Sequence, residues 1–228
     1  LIKISKKHNL PIVEDSCHAI EAEYKNKFAG TFGEFGCFSL HPLKNLNVWG
    51  DGGIITTNDD ELASRLKLIR NHGLVGRDTC VEFAYNSRLD TIQAVVAKYL
   101  IENKLKEITS SRIRNAKLFD KNLKNVEEIK LNKRHNQIEE VFHLYQFTAI
   151  HRDELANFLK SKGVDAKVHY PIPMHLQPAA KEYGYNKGEF PVAEKLSNNS
   201  ISLPVHEFIT EEQINYITKL IKNFYQKK

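Results

Sequence analysis

No part of this 228-residue chain is apolar for long enough to cross a bilayer as a helix. The densest runs, such as Ala94-Val95-Val96-Ala97, fall far short of the roughly 20 residues required, which excludes a membrane-spanning helix. Charge of one sign is scarce too. Thirty-three Lys+Arg stand against 28 Asp+Glu, a formal net charge of +5. The basic clusters Lys3, Lys6, Lys7 and Lys130, Lys133, Arg134 are interleaved with acids or apolar residues. A nucleic-acid binder concentrates its basic residues on one face, so these read as solvated surface and no nucleic-acid partner is expected. Cysteine is sparse: Cys17, Cys37 and Cys80 are odd in number and lack CxxC spacing. They read as reduced, mostly buried thiols of a cytoplasmic protein. The ten histidines form neither HExxH nor a close ligand cluster, so no metal is expected. His135, His143, His151 and His206 read as isolated surface or strand residues. Internal repeats and low-complexity tracts are absent.

What is present is ordinary folded composition, 41% hydrophobic and 27% charged, in a length that suits one large domain or two small ones. Leu1 to Asn9 reads as the end of an amphipathic helix running into a strand at Pro11–Glu14. A domain rarely starts halfway through a helix, so the chain is expected to be the C-terminal part of a longer protein. Gly30, Gly33 and Gly36 punctuate a loop before a strand at Cys37–Leu40, and Gly52-Gly53 leads into a third at Ile54–Thr57. Asp59 or Asp60 caps a helix closed by Gly73. Asp90-x-x-Gln93 has the pattern of a capping box at the head of a long helix running on towards Leu118 and Phe119. Lys130–Glu139 is polar and loop-like. His143–Ile150 reads as a strand, Asp153–Lys162 as a helix stopped by Gly163, and Val164–Tyr170 as another strand. Pro171, Pro173 and Pro178 mark a rigid irregular segment. Thr210-Glu211-Glu212-Gln213 opens the last helix. A domain boundary is expected inside the long helix, giving 1–108 and 109–228.

Three features carry chemistry. Asp15 and His18 follow the first strand, where ligand sites of α/β sheets lie, although Asp15 alone reads equally as a helix cap. Ser39, His41 and Lys44 precede Gly50-Asp51-Gly52-Gly53. A hydroxyl and backbone amides suit a phosphate, and a neighbouring lysine suits an aldehyde, although a single loop lysine is more often plain surface. Tyr85-Asn86-Ser87-Arg88 precedes a helix, a position that suits an anion or merely a capping turn.

In combination they are more specific. Strand–Asp–x–x–His, then Ser–x4–Lys before a Gly-rich turn, then Tyr-Asn-x-Arg before Ile92-Gln93-Ala94, resembles the DegT/StrS family of sugar-nucleotide aminotransferases. Asn71-His72-Gly73, Val168-His169-Tyr170-Pro171-Ile172-Pro173 and Leu203-Pro204-Val205 extend the resemblance along essentially the whole chain. It implies a fold type I enzyme dependent on pyridoxal 5'-phosphate (PLP). The expected fold class is α/β: the C-terminal part of a large three-layer α/β/α domain, followed by a small α+β domain.

By the same resemblance Lys44 is the lysine joined to PLP as a Schiff base, and later the shuttle for the proton. Asp15 pairs with the pyridine nitrogen and keeps it protonated. His18 lies against the cofactor ring or its phenolic oxygen. Ser39 binds the phosphate, and Asn86 reaches the phosphate of a neighbouring subunit's cofactor, which implies a homodimer with shared sites. Arg88, His169 and Tyr170 line the substrate side. The implied reaction takes an amino group from glutamate to a nucleotide-linked keto sugar. Gly50-Asp51-Gly52-Gly53 in place of Gly-Glu-Gly-Gly favours a 3-keto over a 4-keto sugar. The family's N-terminal part, which supplies a phosphate-cupping loop and a residue stacked on the ring, precedes the matched segment, so the 228 residues alone are expected to bind PLP weakly. Two alternatives stand behind this reading. One is a dehydratase with histidine in place of the lysine, for which His41 is near. The other is a non-catalytic regulator on the same scaffold.

Overall fold

The computed structural model describes residues 1–227. In chain order the elements are α1 (Ile2–His8), β1 (Val13–Asp15), β2 (Glu23–Tyr24), β3 (Lys27–Phe28), β4 (Phe35–Ser39), β5 (Gly53–Thr56), α2 (Asp60–Ile69), β6 (Leu74–Val75), β7 (Thr79–Cys80), α3 (Thr91–Asn103) and α4 (Leu105–Leu123). They continue with β8 (Ile129–Lys130), β9 (Ile138–Glu139), β10 (Tyr145–Ala149), α5 (Arg152–Ser161), α6 (Pro191–Asn199), β11 (Ser200–Leu203) and α7 (Glu211–Gln226). Two short 3-10 helices, Met174–Leu176 and Pro178–Tyr183, occupy the proline-rich segment.

The chain divides into two units. One is Leu1–Ser110 together with His135–His143; the other is Ser111–Arg134 with the chain from Leu144 onward. The segment 135–143 belongs to the first unit.

In the first unit β1 lies parallel to β4, with Asp15 opposite Cys37, and β5 runs antiparallel on the other side of β4. The glycines of the intervening loop permit close approach. A Cβ at Gly36 would lie 2.2 Å from the Gly30 carbonyl oxygen, inside any van der Waals contact. The loop is tied to β1 by Glu14, whose carboxylate accepts the backbone N–H groups of Gly30 at 2.8 Å and Gly33 at 2.7 Å, with that of Phe32 between them. A carboxylate in such a nest satisfies amides that no strand partner reaches. The unit's core is Leu40, Leu46, Val48, Ala97 and Leu105, with Ile20, Ile54, Leu89, Val96 and Leu100 packed on it. A second small sheet pairs β3 with β2 and β2 with β9.

In the second unit β10 is central, flanked by β11 and β8, all antiparallel. Its alternate residues Tyr145, Phe147 and Ala149 are buried among Phe119, Leu155, Leu159, Ile201, Ile214 and Ile221, the period-2 pattern of a strand with one face on a core. Tyr145 stacks on Phe119 at 4.9 Å and donates its hydroxyl to Asp120 Oδ1 at 2.8 Å. Burial, with the Asp120 charge second, pushes the Tyr145 phenol far above its ordinary value, so it remains a donor. Arg134 completes the set, with Nε 3.0 Å and Nη2 3.2 Å from the same carboxylate. Buried Arg152 donates to the carbonyls of Ser197 at 3.0 Å and Ser200 at 2.7 Å, joining α5 to the end of α6.

Several sequence expectations need correction. Val164–Tyr170 is no strand; it touches the outer edge of β11 at one isolated bridge, Lys167 to Ser202. The long helix breaks at Lys104, where φ is −131°. Asp90 does cap α3, accepting from Ile92 N–H, but Gln93 does not complete a capping box; its amide is bonded elsewhere. Thr210 and Gln213 do form one, and Asp59 is the cap of α2. The cysteines are not mostly buried: Cys17 and Cys37 are half-buried and Cys80 is exposed.

Glu14→Ala should leave three backbone donors without their acceptor and lower the first unit's stability by about 1–3 kcal/mol. Faster amide exchange at Gly30 and Gly33 and a lower urea midpoint are expected; unchanged exchange would contradict the nest.

Candidate active site

Parallel pairing of β1 and β4 brings their carboxyl ends to the same sheet edge, where Asp15 and Ser39 are the terminal strand residues. Asp15 is exposed, and Cys17 N–H donates to its Oδ1 at 3.1 Å. Hydrogen bonds from the Cys17 thiol and amide hold the carboxyl below its ordinary range, and the charges of His18 and Lys44 add to this. The charges of His18 and Lys44 thus each reach Asp15. Burial first, and Asp15 second, push the Cys17 thiol up, so it serves as a donor and not as a thiolate nucleophile.

Lys44 lies on the loop after β4, and the fold holds its backbone on both sides. Its N–H donates to His41 O at 2.8 Å, and its carbonyl accepts from Asn47 Nδ2 at 3.0 Å. Leu46 and Val48, each 1% exposed, root the loop in the core. Ser39 Oγ accepts from His41 N–H at 3.3 Å. The turn at Trp49 is gripped by Gln93, which accepts the Trp49 N–H at 2.7 Å and donates to its carbonyl at 2.9 Å. An ionised carboxylate, a strand-end hydroxyl and a half-buried primary amine are a donor set that suits a cofactor with a basic ring nitrogen, an anionic tail and an aldehyde.

Asn86 and Arg88 form a separate cluster. Arg88 Nε donates to Asn86 Oδ1 at 2.9 Å and its Nη1 to Asn71 Oδ1 at 3.2 Å, while Asn71 and Asn86 share a β-bridge. His169 and Tyr170 belong to the second unit. His169 Nδ1 lies 3.1 Å from Ser202 Oγ, and burial, with the Lys167 charge second, lowers its pKa. Tyr170 is 70% exposed at a left-handed φ of 55°.

Sequence reading passed over three residues beside these. Asn45 donates Nδ2 to Val141 O at 2.9 Å. Gln93 clamps Trp49, although its place three residues beyond Asp90 reads as a cap. His143, expected to be isolated, stacks on His18 at 4.1 Å between ring centroids. No local signal marks the first or the last, since each contact joins positions about a hundred residues apart in the chain.

The model of the DegT/DnrJ/EryC1/StrS aminotransferase family matches residues 1–222. This chain belongs to that family. Its aminotransferases are PLP-dependent, and the chain resembles solved members throughout its length, consistent with fold type I. The structure of S. venezuelae DesV in complex with a ketimine intermediate superposes with a TM-score of 0.93 at 32% identity, covering 97% of this chain and 60% of that one. A pleiotropic regulatory protein of Geobacillus stearothermophilus is 38% identical over 98% of this chain and 60% of its own. A UDP-N-acetyl-3-dehydro-alpha-D-glucosamine 3-aminotransferase of Acidithiobacillus ferrooxidans is 34% identical over 97% and 59%. The chain therefore spans about three-fifths of the length of these DegT-family relatives. Among the described residues no helix is long and apolar enough to cross a membrane, and no three His, Cys, Asp or Glu side chains gather as a metal set.

A lowered His169 pKa has a defined consequence. The folded state disfavours the imidazolium, so its contribution to stability is complete above the ordinary value of 6.5. It is lost as pH falls from there through the lowered folded value, because the unfolded chain binds the proton more readily. His169→Gln should flatten the decline in melting temperature on acidification below about pH 6.5. An unchanged slope would contradict the assignment.

Proposed function

We propose that this chain supplies the lysine, the ring carboxylate and part of the phosphate site of a PLP-dependent sugar-nucleotide aminotransferase, and that the whole protein moves an amino group from glutamate to a nucleotide-linked keto sugar. The observation that carries the reading is the parallel pairing that puts Asp15, at the carboxyl end of β1, beside β4, whose following loop carries Lys44. When bound, PLP supplies an aldehyde that condenses with amines and a ring that accepts electron density.

The residues divide the work. Asp15, kept ionised by Cys17, holds a proton on the ring nitrogen. Ser39 donates its hydroxyl to the phosphate. Lys44 would hold the aldehyde and, as a free amine, would serve as the base that moves the proton. The backbone bonds on both sides of Lys44 fix the point from which that amine extends, and its flexible side chain supplies the reach that proton transfer needs. His18 packs against the ring or its phenolic oxygen, and Arg88, His169 and Tyr170 line the substrate side.

A homodimer with shared sites, in which Asn86 reaches the partner's cofactor, is part of the proposal. Its support is an apolar face on α3, where Ile92, Val95 and Tyr99 are 64%, 63% and 57% exposed at helical spacing, with Trp49 at 78% nearby through the Gln93 clamp. Such a face on a folded unit fits a second copy. The turn Gly50-Asp51-Gly52-Gly53 supports a 3-keto over a 4-keto sugar, and one relative is named for 3-amination. The cytoplasm is the proposed compartment, in keeping with three free cysteines.

A non-catalytic regulator is the second reading, favoured by the name of the relative at 38% identity. The dehydratase reading has less support, because a lysine stands at position 44 and His41 Nδ1 is engaged by Leu43 N–H at 3.2 Å.

Two expected outcomes test these roles in the full-length protein. Lys44→Ala should abolish the yellow lysine-linked form and lower turnover by at least about 10²–10⁴-fold; a native spectrum in that variant would refute the role. Asp15→Asn should lower turnover much more than PLP affinity, and equal losses in both would contradict the ring-nitrogen assignment. A native protein that binds PLP without transferring an amino group from glutamate to any keto-sugar nucleotide would favour the regulator. Val95→Glu should shift the protein from dimer to monomer in sedimentation; an unchanged dimer would remove α3 from the interface.

A further inference from the structure

We infer that His143 is a positioning residue for His18, holding that imidazole at the edge of the Asp15–Lys44 site. The inference rests on the PLP reading of that site. The two rings lie with centroids 4.1 Å apart and planes tilted by 32°, a direct ring-on-ring contact closer than most aromatic pairs. His18 itself is exposed, on the turn after β1, and its charge is felt at Asp15. A ring in that position rotates freely unless something backs it. His143 supplies that backing from one face of the ring.

His143 is not carried there by a loose loop. The 135–143 excursion is pinned at successive points to the first unit: Lys25 N–H donates to Gln137 O at 2.8 Å, β9 pairs with β2, and Asn45 Nδ2 donates to Val141 O at 2.9 Å. Val141 and Asn45 are 4% and 3% exposed. Asn45 is the neighbour of Lys44, so the peptide that carries the amine also anchors the segment that carries His143. Phe142, between anchor and histidine, has a left-handed φ of 48°. A non-glycine residue adopts that conformation at a cost that surrounding structure must offset, and here it redirects the chain immediately before His143. These features mark a built support. They also explain why the excursion returns to the first unit after the chain has already entered the second.

The test uses the full-length protein with His143→Ala, which removes the stack, and His143→Phe, which retains a flat ring. Without cofactor, the NMR resonance of the His18 ring proton between the two nitrogens reports the ring current of its neighbour. It should move towards its solvent-exposed position in His143→Ala and stay displaced in His143→Phe. PLP affinity, read by titrating the visible absorbance of the bound cofactor, should fall about 3- to 10-fold in His143→Ala, the range expected for losing one aromatic pair, and recover in His143→Phe. A merely structural role would lower the melting temperature without this pattern of loss and rescue. Native affinity and an unmoved His18 resonance in His143→Ala would overturn the inference, as would a failure of His143→Phe to rescue. If the native protein binds no PLP, the cofactor reading fails and this inference with it; native binding that is insensitive to His143 overturns this inference alone.

Discussion

The parallel pairing of two short strands is the constraint on which the site depends. With Val13 opposite Phe35 and Asp15 opposite Cys37, successive side chains alternate between faces, so a slip of one residue would turn Asp15 to the other side of the sheet. The strands are too short to hold that register by their own ladder. Glu14 does much of the holding, through backbone amides of the glycine loop that returns the chain from β1 to β4. Structural and candidate catalytic carboxylates are thus adjacent in sequence and opposite in direction.

The second constraint is the closure of the loop after β4. Leu40 and Val48 bond across its base, Leu40 N–H reaches Gly52 O, and Gln93 grips Trp49 from a helix that begins forty residues later. Leu40, Leu46 and Val48 are buried while Leu43 and Lys44 between them reach the surface. A primary amine is thereby carried on a rigid base, with motion left mainly to its own side chain. That combination suits a group that must both hold a cofactor and release it.

Local chemistry was legible in the sequence where it is local in the structure. Asp59 and the Thr210–Gln213 pair cap helices because a cap is decided within four residues. The strand at Tyr145–Ala149 follows from its alternation. The reading fails where the deciding partner is distant. Gln93 has the spacing of a capping box, but a backbone turn offered it two bonds. Val164–Tyr170 has strand-like composition but pairs with the outer edge of β11 at Lys167 alone. Helix α6 starts without a side-chain cap, at Phe190, and its one local signal, Pro191 at the first helical position, was passed over. The candidate site was legible only as a combination: Asp15, Ser39 and Lys44 are each ordinary alone, and their order and spacing carried the family resemblance. His143 was invisible, because a contact spanning 125 positions leaves no periodicity.

The most direct test of the account is chemical trapping at position 44. The full-length protein, incubated with PLP and reduced with borohydride, should yield on peptide mapping a pyridoxyl group on Lys44 alone, lost when the amino donor is added before reduction. A label on any other lysine, or an unlabelled protein under conditions where PLP is bound, would contradict the account.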